Sequence, residues 1–212
     1  MEELIKKLQS EAKQFLTKSK LVLNGVEILP KEIEVYYYKE GVFEDISVHK
    51  NELQTKKHKS RFYVHRLGEK QSDPYKGANR AGVDYVVSDD ANTYYSYLIR
   101  SAVINGESVI GPNKVLIKIK EASKFENQDL ERELVKIVIS NNEGDVLFSS
   151  RINLGKGFVD SELRAVLCDE CFRTSKYPAK EKMIIDFIKD MSKVQALEYA
   201  KNRLGYIPAS IR

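Results

Sequence analysis

Residues 32–38 read Glu-Ile-Glu-Val-Tyr-Tyr-Tyr, a run of β-branched and aromatic side chains that favours a β-strand. Successive side chains of a strand point to opposite faces, so Glu34 and Tyr36 share one face and Val35 lies on the other. A carboxylate beside an aromatic ring on a half-buried face has two interpretations. It keeps a sheet edge soluble, or it acts as a general base where a pocket forms over it.

Strand patterns continue after this run, and helical patterns occupy the two ends of the chain. Residues 2–18 place apolar side chains three and four positions apart, which predicts an amphipathic helix. Residues 179–204 have the same spacing and predict a long C-terminal helix that ends at Gly205. The other predicted strands are 61–65, 83–88 and 94–104, with a hairpin of 134–139 and 146–150 around Gly144.

These elements predict an α+β fold made of a single domain. We expect a mixed, mostly antiparallel curved sheet, with the N-terminal helix before it and helices at the C-terminal end. Of the 212 residues, 42% are apolar and 31% are charged, so the chain can bury a core and a mostly disordered protein is excluded.

The composition also bears on where the protein works. No apolar run reaches the roughly 18 residues of a membrane span. Residues 1–18 carry charges throughout, unlike a signal peptide. Since two cysteines do not make a disulfide framework, we expect a reducing, cytoplasmic compartment, with association with the nucleoid if the protein is a repair enzyme. We also expect no membrane contact and a monomer.

The two cysteines form a Cys168-x-x-Cys171 pair with a structural and a chemical interpretation. Asp160 and Ser161 provide a helix-start signal, which predicts both thiols on one helix. Two thiols supply only half of the ligands of a structural zinc site, and the three histidines lie more than a hundred residues upstream. We interpret the pair as partly buried structural thiols, with a redox or metal role as the alternative.

Positive charge is concentrated between residues 50 and 80, where nine Lys or Arg stand against three Asp or Glu, although the whole chain is only +4. Lysine and arginine bind phosphates, and aromatic rings stack on bases. The segment therefore predicts a DNA-binding surface. A solvated charged segment, including a long loop at 68–82, is the alternative. The candidate DNA-binding residues are Lys56, Lys57, Lys59, Arg61, Tyr75, Lys76 and Arg80.

Arg100 lies inside the apolar run Tyr97-Leu-Ile-Arg-Ser-Ala102. A guanidinium stays charged and is costly to bury without a partner. Arg100 therefore either points to solvent or pairs with a carboxylate or phosphate. His49 and His65, taken one by one, favour surface or structural positions over catalytic ones.

Taken in order, several short motifs resemble the alkyladenine (3-methyladenine) DNA glycosylase family. The catalytic strand of that family has the form Glu-x-Glu-Ala-Tyr, and here it is Glu32-Ile-Glu34-Val-Tyr36. The resemblance covers about residues 12–119. The other matching motifs are Ala12–Leu23 for the opening helix and strand, Asp45-Ile-Ser-Val-His49, Tyr63-Val-His65, Tyr97–Ala102 and Gly111-Pro-Asn-Lys-Val115.

The resemblance implies a base-excision repair enzyme that rotates a damaged or alkylated purine out of DNA and hydrolyses its N-glycosidic bond. By position, Glu34 is the implied general base, and Arg100 holds the water or a nearby phosphate with it. Tyr36 and His49 are implied to contact the faces or edges of the base, with His65 in place of a second stacking tyrosine. No cofactor or metal is implied, because water is the nucleophile and an alkylated purine leaves already carrying positive charge.

Three positions depart from the pattern of the family. Asp84, which we count among the base-binding residues, stands where the family has an Asn and changes the hydrogen bonds offered to the base. His65 replaces a tyrosine, and Gly68 replaces the aromatic wedge that fills the vacated stack. These departures leave open action on single-stranded DNA or free nucleosides in place of a damaged duplex. They also favour the alternative function, a non-catalytic nucleic-acid or small-ligand binding protein on the same scaffold.

Overall fold

Strand β2 (Val26–Lys39) is the central strand of a curled antiparallel sheet in the computed structural model of the protein. It pairs with β6 along most of its length, from Ile28 opposite Ile104 to Lys39 opposite Thr93. Every pairing among the described strands is antiparallel, so the expected mixed sheet is purely antiparallel there. The structure describes residues 1–65, 81–151, 162–169, 180–189 and 191–211.

Five helices and ten strands lie in these described ranges. The helices are α1 Glu2–Lys18, α2 Pro112–Ser123, α3 Asn127–Arg132, α4 Lys180–Ile188 and α5 Lys193–Leu204. The other strands are β1 Ser19–Leu23, β3 Phe43–Glu44, β4 Phe62–His65, β5 Gly82–Val86, β6 Thr93–Ile104, β7 Glu107–Ile110, β8 Lys136–Ile139, β9 Asp145–Ser149 and β10 Arg164–Cys168. The predicted helix 2–18 is confirmed, and so are the predicted strands 83–88 and 94–104.

The main path of the sheet runs β4-β5-β6-β2-β1-β8. One edge of β2 changes partner along its length: Val26 to Ile28 pair with β1, whereas Glu32 to Glu34 pair with β10. Between the two, the register with β6 shifts around Pro30 and Glu32. Proline has no N–H for a ladder, and a bulge bends the strand that carries it. The irregularity lies between the part of β2 that pairs with β1 and the part that pairs with β10.

The two faces of the sheet differ in chemistry. Helix α1 covers the apolar face with Leu8, Ala12, Phe15 and Leu16, which join the main core. The ring of Phe15 lies 4.8 Å from that of Tyr97 on β6. Side chains alternate along β2, so the residues of β2 that do not face α1 point to the opposite face of the sheet. That face carries Glu34 and Tyr36, as the sequence predicts.

The hairpin predicted around Gly144 is wrong, although both of its strands exist. β8 pairs with β1, and β9 pairs with β10. Asn142 diverts the chain: its amide Nδ2 donates to the carbonyl oxygens of Leu16 (2.7 Å) and Ser19 (3.2 Å). Gly144 then passes so close to β10 that a Cβ would lie 2.9 Å from the Cys168 carbonyl oxygen.

The predicted single C-terminal helix is also wrong, because α4 and α5 are separate helices. Ser192 caps α5, where its Oγ accepts a hydrogen bond from the N–H of Gln195. Two members of the predicted apolar stripe are exposed, Phe187 by 38% and Val194 by 75%, so the helices do not share one face. The predicted cap at Gly205 is confirmed by its left-handed φ of 81°.

The predicted helix for the two cysteines is wrong at Cys168, which ends strand β10. The run Leu163-Arg-Ala-Val-Leu167 is buried on both faces between β2 and β9, which stabilises a strand there. Burial raises the pKa of the Cys168 thiol to about 12, so it behaves as a structural thiol. Cys171 lies outside the described residues.

Candidate functional site

A row of buried side chains crosses the polar face of the sheet, one residue from each of five neighbouring strands. The register sets Arg164 on β10 opposite Glu34 on β2, Glu34 opposite Leu98 on β6, Leu98 opposite Asp84 on β5, and Asp84 opposite Tyr63 on β4. Their flanking residues belong to the main core on the other face, so all five point away from α1. The sheet thus brings two carboxylates into one row with an apolar residue between them.

Glu34 is fully buried, rather than half-buried as its sequence pattern suggests. Its Oε1 lies 3.1 Å from Nη1 of Arg100. Its Oε2 accepts a hydrogen bond from the hydroxyl of Tyr36 at 3.0 Å. Burial, followed by the negative charge of Glu34, raises the pKa of Tyr36 well above its ordinary value, so that hydroxyl keeps its proton and donates. The carboxylate is therefore held at both oxygens.

Arg100 is in turn held by Glu32, on the same face of β2. Glu32 Oε1 accepts hydrogen bonds from Nε of Arg164 at 2.6 Å and from Nε of Arg100 at 3.2 Å. Burial raises the pKa of Glu32, and the two guanidiniums oppose that effect only in part. Arg100 thus contacts Glu32 through Nε and Glu34 through Nη1. Arg100 keeps 16% of its side chain exposed, so it is the member of this group that solvent reaches.

A second buried ion pair supports Tyr36. Nη1 of Arg151 donates to Oδ2 of Asp45 at 2.5 Å, to Oγ of Ser47 at 3.0 Å and to the carbonyl of Val35 at 3.2 Å. The guanidinium carbon of Arg151 lies 5.1 Å from the centre of the Tyr36 ring. This cation–π contact fixes the ring whose hydroxyl binds Glu34.

Asp84 lies at the other end of the row, among polar groups. Its Oδ2 accepts hydrogen bonds from Oγ of Ser96 at 2.8 Å and from Nε2 of Gln54 at 3.5 Å. Gln54 belongs to a short 3-10 turn that Asn51 caps. Between Glu34 and Asp84 lies Leu98, which packs with Tyr36 and Val48 in a small apolar cluster on this face.

The histidines contribute unequally to this face. Nδ1 of His49 lies 3.0 Å from the hydroxyl of Tyr63, which places His49 beside the Asp84 end of the row. His65 pairs with Gly82 through the backbone of β4, and its side chain lies outside the described residues. The structure therefore brings together Glu34, Tyr36 and Arg100 at one end, with Asp84 and His49 at the other.

The predicted DNA-binding residues lie on and beside a short 3-10 turn, Lys56–His58. Lys56, Lys57 and Lys59 are exposed, and Arg61 is half-buried. Lys57 has Glu52 3.5 Å away, Lys59 pairs with Asp89, and Nε of Arg61 donates to the Arg132 carbonyl at 2.9 Å. Tyr75, Lys76 and Arg80 lie outside the described residues, as does Gly68.

Several residues of the site do not stand out in the sequence analysis. Arg164 carries the same signal as Arg100, an arginine inside an apolar run, but it lies beyond the part of the chain that resembles the family. Arg151 and Gln54 carry no such signal, since neither lies inside an apolar run. In the sequence, Glu32 appears only as the first residue of the Glu-x-Glu motif. In the structure, its carboxylate accepts hydrogen bonds from two arginines.

Within the described ranges, no group of three or more His, Cys, Asp or Glu could hold a metal ion. Over the same part of the chain, no helix is both long and apolar enough to cross a membrane. Compared with protein-family models and with curated proteins, the chain matches none of them.

Proposed function

We propose that the protein is a DNA glycosylase that hydrolyses the N-glycosidic bond of alkylated or damaged purines, with Glu34 as the general base. The observation that carries this proposal is the burial of Glu34 between Arg100 and Tyr36, which hold one carboxylate oxygen each. A buried carboxylate held in one orientation is the kind of group that such a hydrolysis needs, and a positioned base contributes ~10²–10⁴-fold to the rate.

In this proposal, Glu34 takes a proton from a water molecule as that water attacks C1′ of the sugar. The C1′–N bond breaks, and the bonding electrons leave with the purine. Arg100 keeps the carboxylate oriented and offers its exposed part to the phosphate beside the reacting sugar. The apolar cluster of Tyr36, Val48 and Leu98 is buried on the same face as Glu34, and in this proposal the heterocycle packs against it.

The proposed partner is DNA, bound by a monomer in the cytoplasm. The exposed lysines of the turn Lys56–His58 and its neighbour Lys59 would contact phosphates. Gln54 belongs to the preceding turn and reaches Asp84, so this basic segment is joined to the row of site residues. That continuity favours a strand of DNA passing over the site.

Base release from an alkylated duplex tests the proposal. Wild type should release free purine and leave abasic sites, and Glu34→Gln should reduce the rate at least about a hundredfold. Glu40→Gln, which changes an exposed carboxylate, is the matched control and should keep full activity. Binding of the same duplex should persist in Glu34→Gln. Unchanged release in that variant would remove Glu34 from the mechanism.

A second candidate function has its own observation. Both oxygens of Glu34 are engaged by the protein, and its side chain is only 1% exposed, which suits a structural charge in a binding protein. On this alternative, the scaffold binds nucleic acid or a small ligand without catalysis. Salt-dependent binding of duplex DNA with no abasic sites formed by wild type would select it.

A further inference from the structure

Strand β8 is the last strand at one end of the main sheet path, and it carries exposed apolar side chains. One of its edges pairs with β1, and no other strand in the described part of the chain pairs with it. The exposed fractions are 50% for Ile137, 42% for Val138 and 91% for Ile139. An exposed apolar edge of this kind is a template on which a further strand can pair.

The hydrogen bonds of β8 show which of its backbone groups face outward. The N–H of Ser140 donates to the carbonyl oxygen of Lys18 at 2.9 Å. In an antiparallel ladder, hydrogen-bonded pairs alternate with pairs that have no such bonds, so Ile139 and Ile137 are in pairs of the second kind with β1. Their N–H and C=O groups therefore point away from β1, toward the outer edge of the sheet.

This outer edge is already occupied where the chain enters β8. The N–H of Val135, two positions before Ile137, donates to the carbonyl oxygen of Ser60 at 2.8 Å, as the same alternation predicts. Among the residues that the structure describes, none bonds the outward groups of Ile137 and Ile139. The open part of the edge is therefore one short segment, Ile137-Val-Ile139.

The open segment reads the same in both directions, Ile-Val-Ile. When it lies antiparallel to a second copy with the two Val138 residues opposite each other, Ile137 of one copy lies opposite Ile139 of the other. These outward-facing residues can then exchange both of their backbone hydrogen bonds. Directly opposed β-branched side chains stabilise such a pair. Lys136 comes opposite Ser140, so the two lysines do not face each other.

We propose that β8 is an interaction surface for a second copy of this chain, which pairs with it antiparallel with Val138 opposite Val138. The apolar faces of the two sheets then join, because Ile137 lies opposite the buried Leu21 on the core face of its own sheet. Since both copies use the same edge, the pair is closed and offers no edge to a third copy.

The pairing is weak, because two such short segments bury less than the roughly 1,200–2,000 Å² of a standard stable interface. Dilute protein is therefore the monomer of the proposed function, and pairs form as the concentration rises. The pairing uses none of the residues of the candidate site, so it stands or falls independently of glycosylase activity.

Sedimentation velocity of the full chain without DNA, from micromolar to millimolar concentration, tests this inference. Wild type should shift from monomer toward dimer as the concentration rises. Ile139→Lys removes apolar pairs on both sides of the dimer and places charges at the edge, so it should weaken association at least about tenfold. Val194→Lys is the matched control, because Val194 is an apolar residue of α5 that is 75% exposed, and association should be unchanged.

Two results would overturn the proposal. One is association that Ile139→Lys leaves as strong as in wild type. The other is a monomer at every concentration, which is the result expected if the edge binds an extended segment of a different protein instead.

Oxidative cross-linking tests the register. The two Val138 residues would form a non-hydrogen-bonded pair with Cα atoms about 4.5 Å apart, within the range that a disulfide spans. Val138→Cys should therefore give a disulfide-linked dimer faster than Ile139→Cys, because the two copies of Ile139 are offset along the strands. Wild type, with its two native cysteines, gives the background. Faster cross-linking of Ile139→Cys, or no gain over the background for Val138→Cys, would contradict the pairing.

Discussion

Nη1 of Arg100 lies 3.1 Å from Oε1 of Glu34, on neighbouring strands β6 and β2. The same guanidinium donates through Nε to Glu32, so one arginine joins two buried carboxylates. Removing one partner of a buried ion pair leaves an uncompensated charge, which costs far more than the pair itself contributes. This network therefore forms the candidate site and also contributes to the stability of the fold.

Arg100→Met should lower the free energy of unfolding by about 3–5 kcal/mol, because Glu32 and Glu34 lose a shared partner. Urea denaturation measures this loss. Lys20→Met is the control: it breaks the surface pair with Glu27 and should cost less than about 1 kcal/mol. Adding Glu34→Gln to Arg100→Met should cost less than the sum of the single changes, and strict additivity would contradict the coupling.

Asp45→Asn should lower the free energy of unfolding by about 3–5 kcal/mol, because it removes the negative charge that lies beside the buried guanidinium of Arg151. The change should also loosen Tyr36, which Arg151 contacts through its ring. Urea denaturation gives the loss of stability. Glu44→Gln, one residue away and exposed, is the control. Equal stability of the two variants would show that the Asp45–Arg151 pair is dispensable.

The raised pKa of Glu32 predicts how stability depends on pH. A carboxyl whose pKa in the folded state lies above the unfolded value of 4.5 binds its proton more tightly when folded. Its contribution is complete below that value and is lost as the pH rises through the folded-state pKa. The stability of wild type relative to Glu32→Gln should therefore fall as the pH rises above 4.5. Urea denaturation at several pH values measures this, and a difference that grows with pH would contradict it.

Lys56→Ala should weaken DNA binding and reduce the slope of log affinity against log salt by about 0.9, the amount expected for one phosphate contact. Lys56 is exposed at the start of the basic turn. Lys13→Ala provides the control, because Lys13 is exposed on α1, on the apolar side of the sheet. Equal slopes for the two variants would place the DNA elsewhere on the protein.

The local sequence pattern predicts the central strand and its neighbours, but it predicts only part of the candidate site. Alternation in residues 32–38 predicts that Glu34 and Tyr36 share a face, and this is confirmed. The apolar setting of Arg100 leaves two alternatives, solvent or a charged partner, and the structure shows the second. Arg151 and Asp45 are 106 positions apart in the chain, so no local spacing reports their contact.

Two misassigned elements, the hairpin around Gly144 and the helix of Cys168, have the same cause, which is that distant contacts outweigh a local signal. Asn142 and Gly144 form a good turn sequence, yet Asn142 binds the end of α1 and Gly144 lies against β10. The strand of Cys168 similarly depends on β2 and β9 pairing with it on both sides. Helix caps act over a few residues, so the caps at Ser192 and Gly205 lie where sequence signals can mark them.

Single-turnover base release tests the central claim most directly. Wild type in excess over an alkylated duplex should convert it to abasic DNA and free purine in one exponential phase. Glu34→Gln, bound to the same duplex with similar affinity, should be slower by at least about a hundredfold. Equal rates in the two proteins, or no abasic DNA from wild type bound to the duplex, would contradict the account.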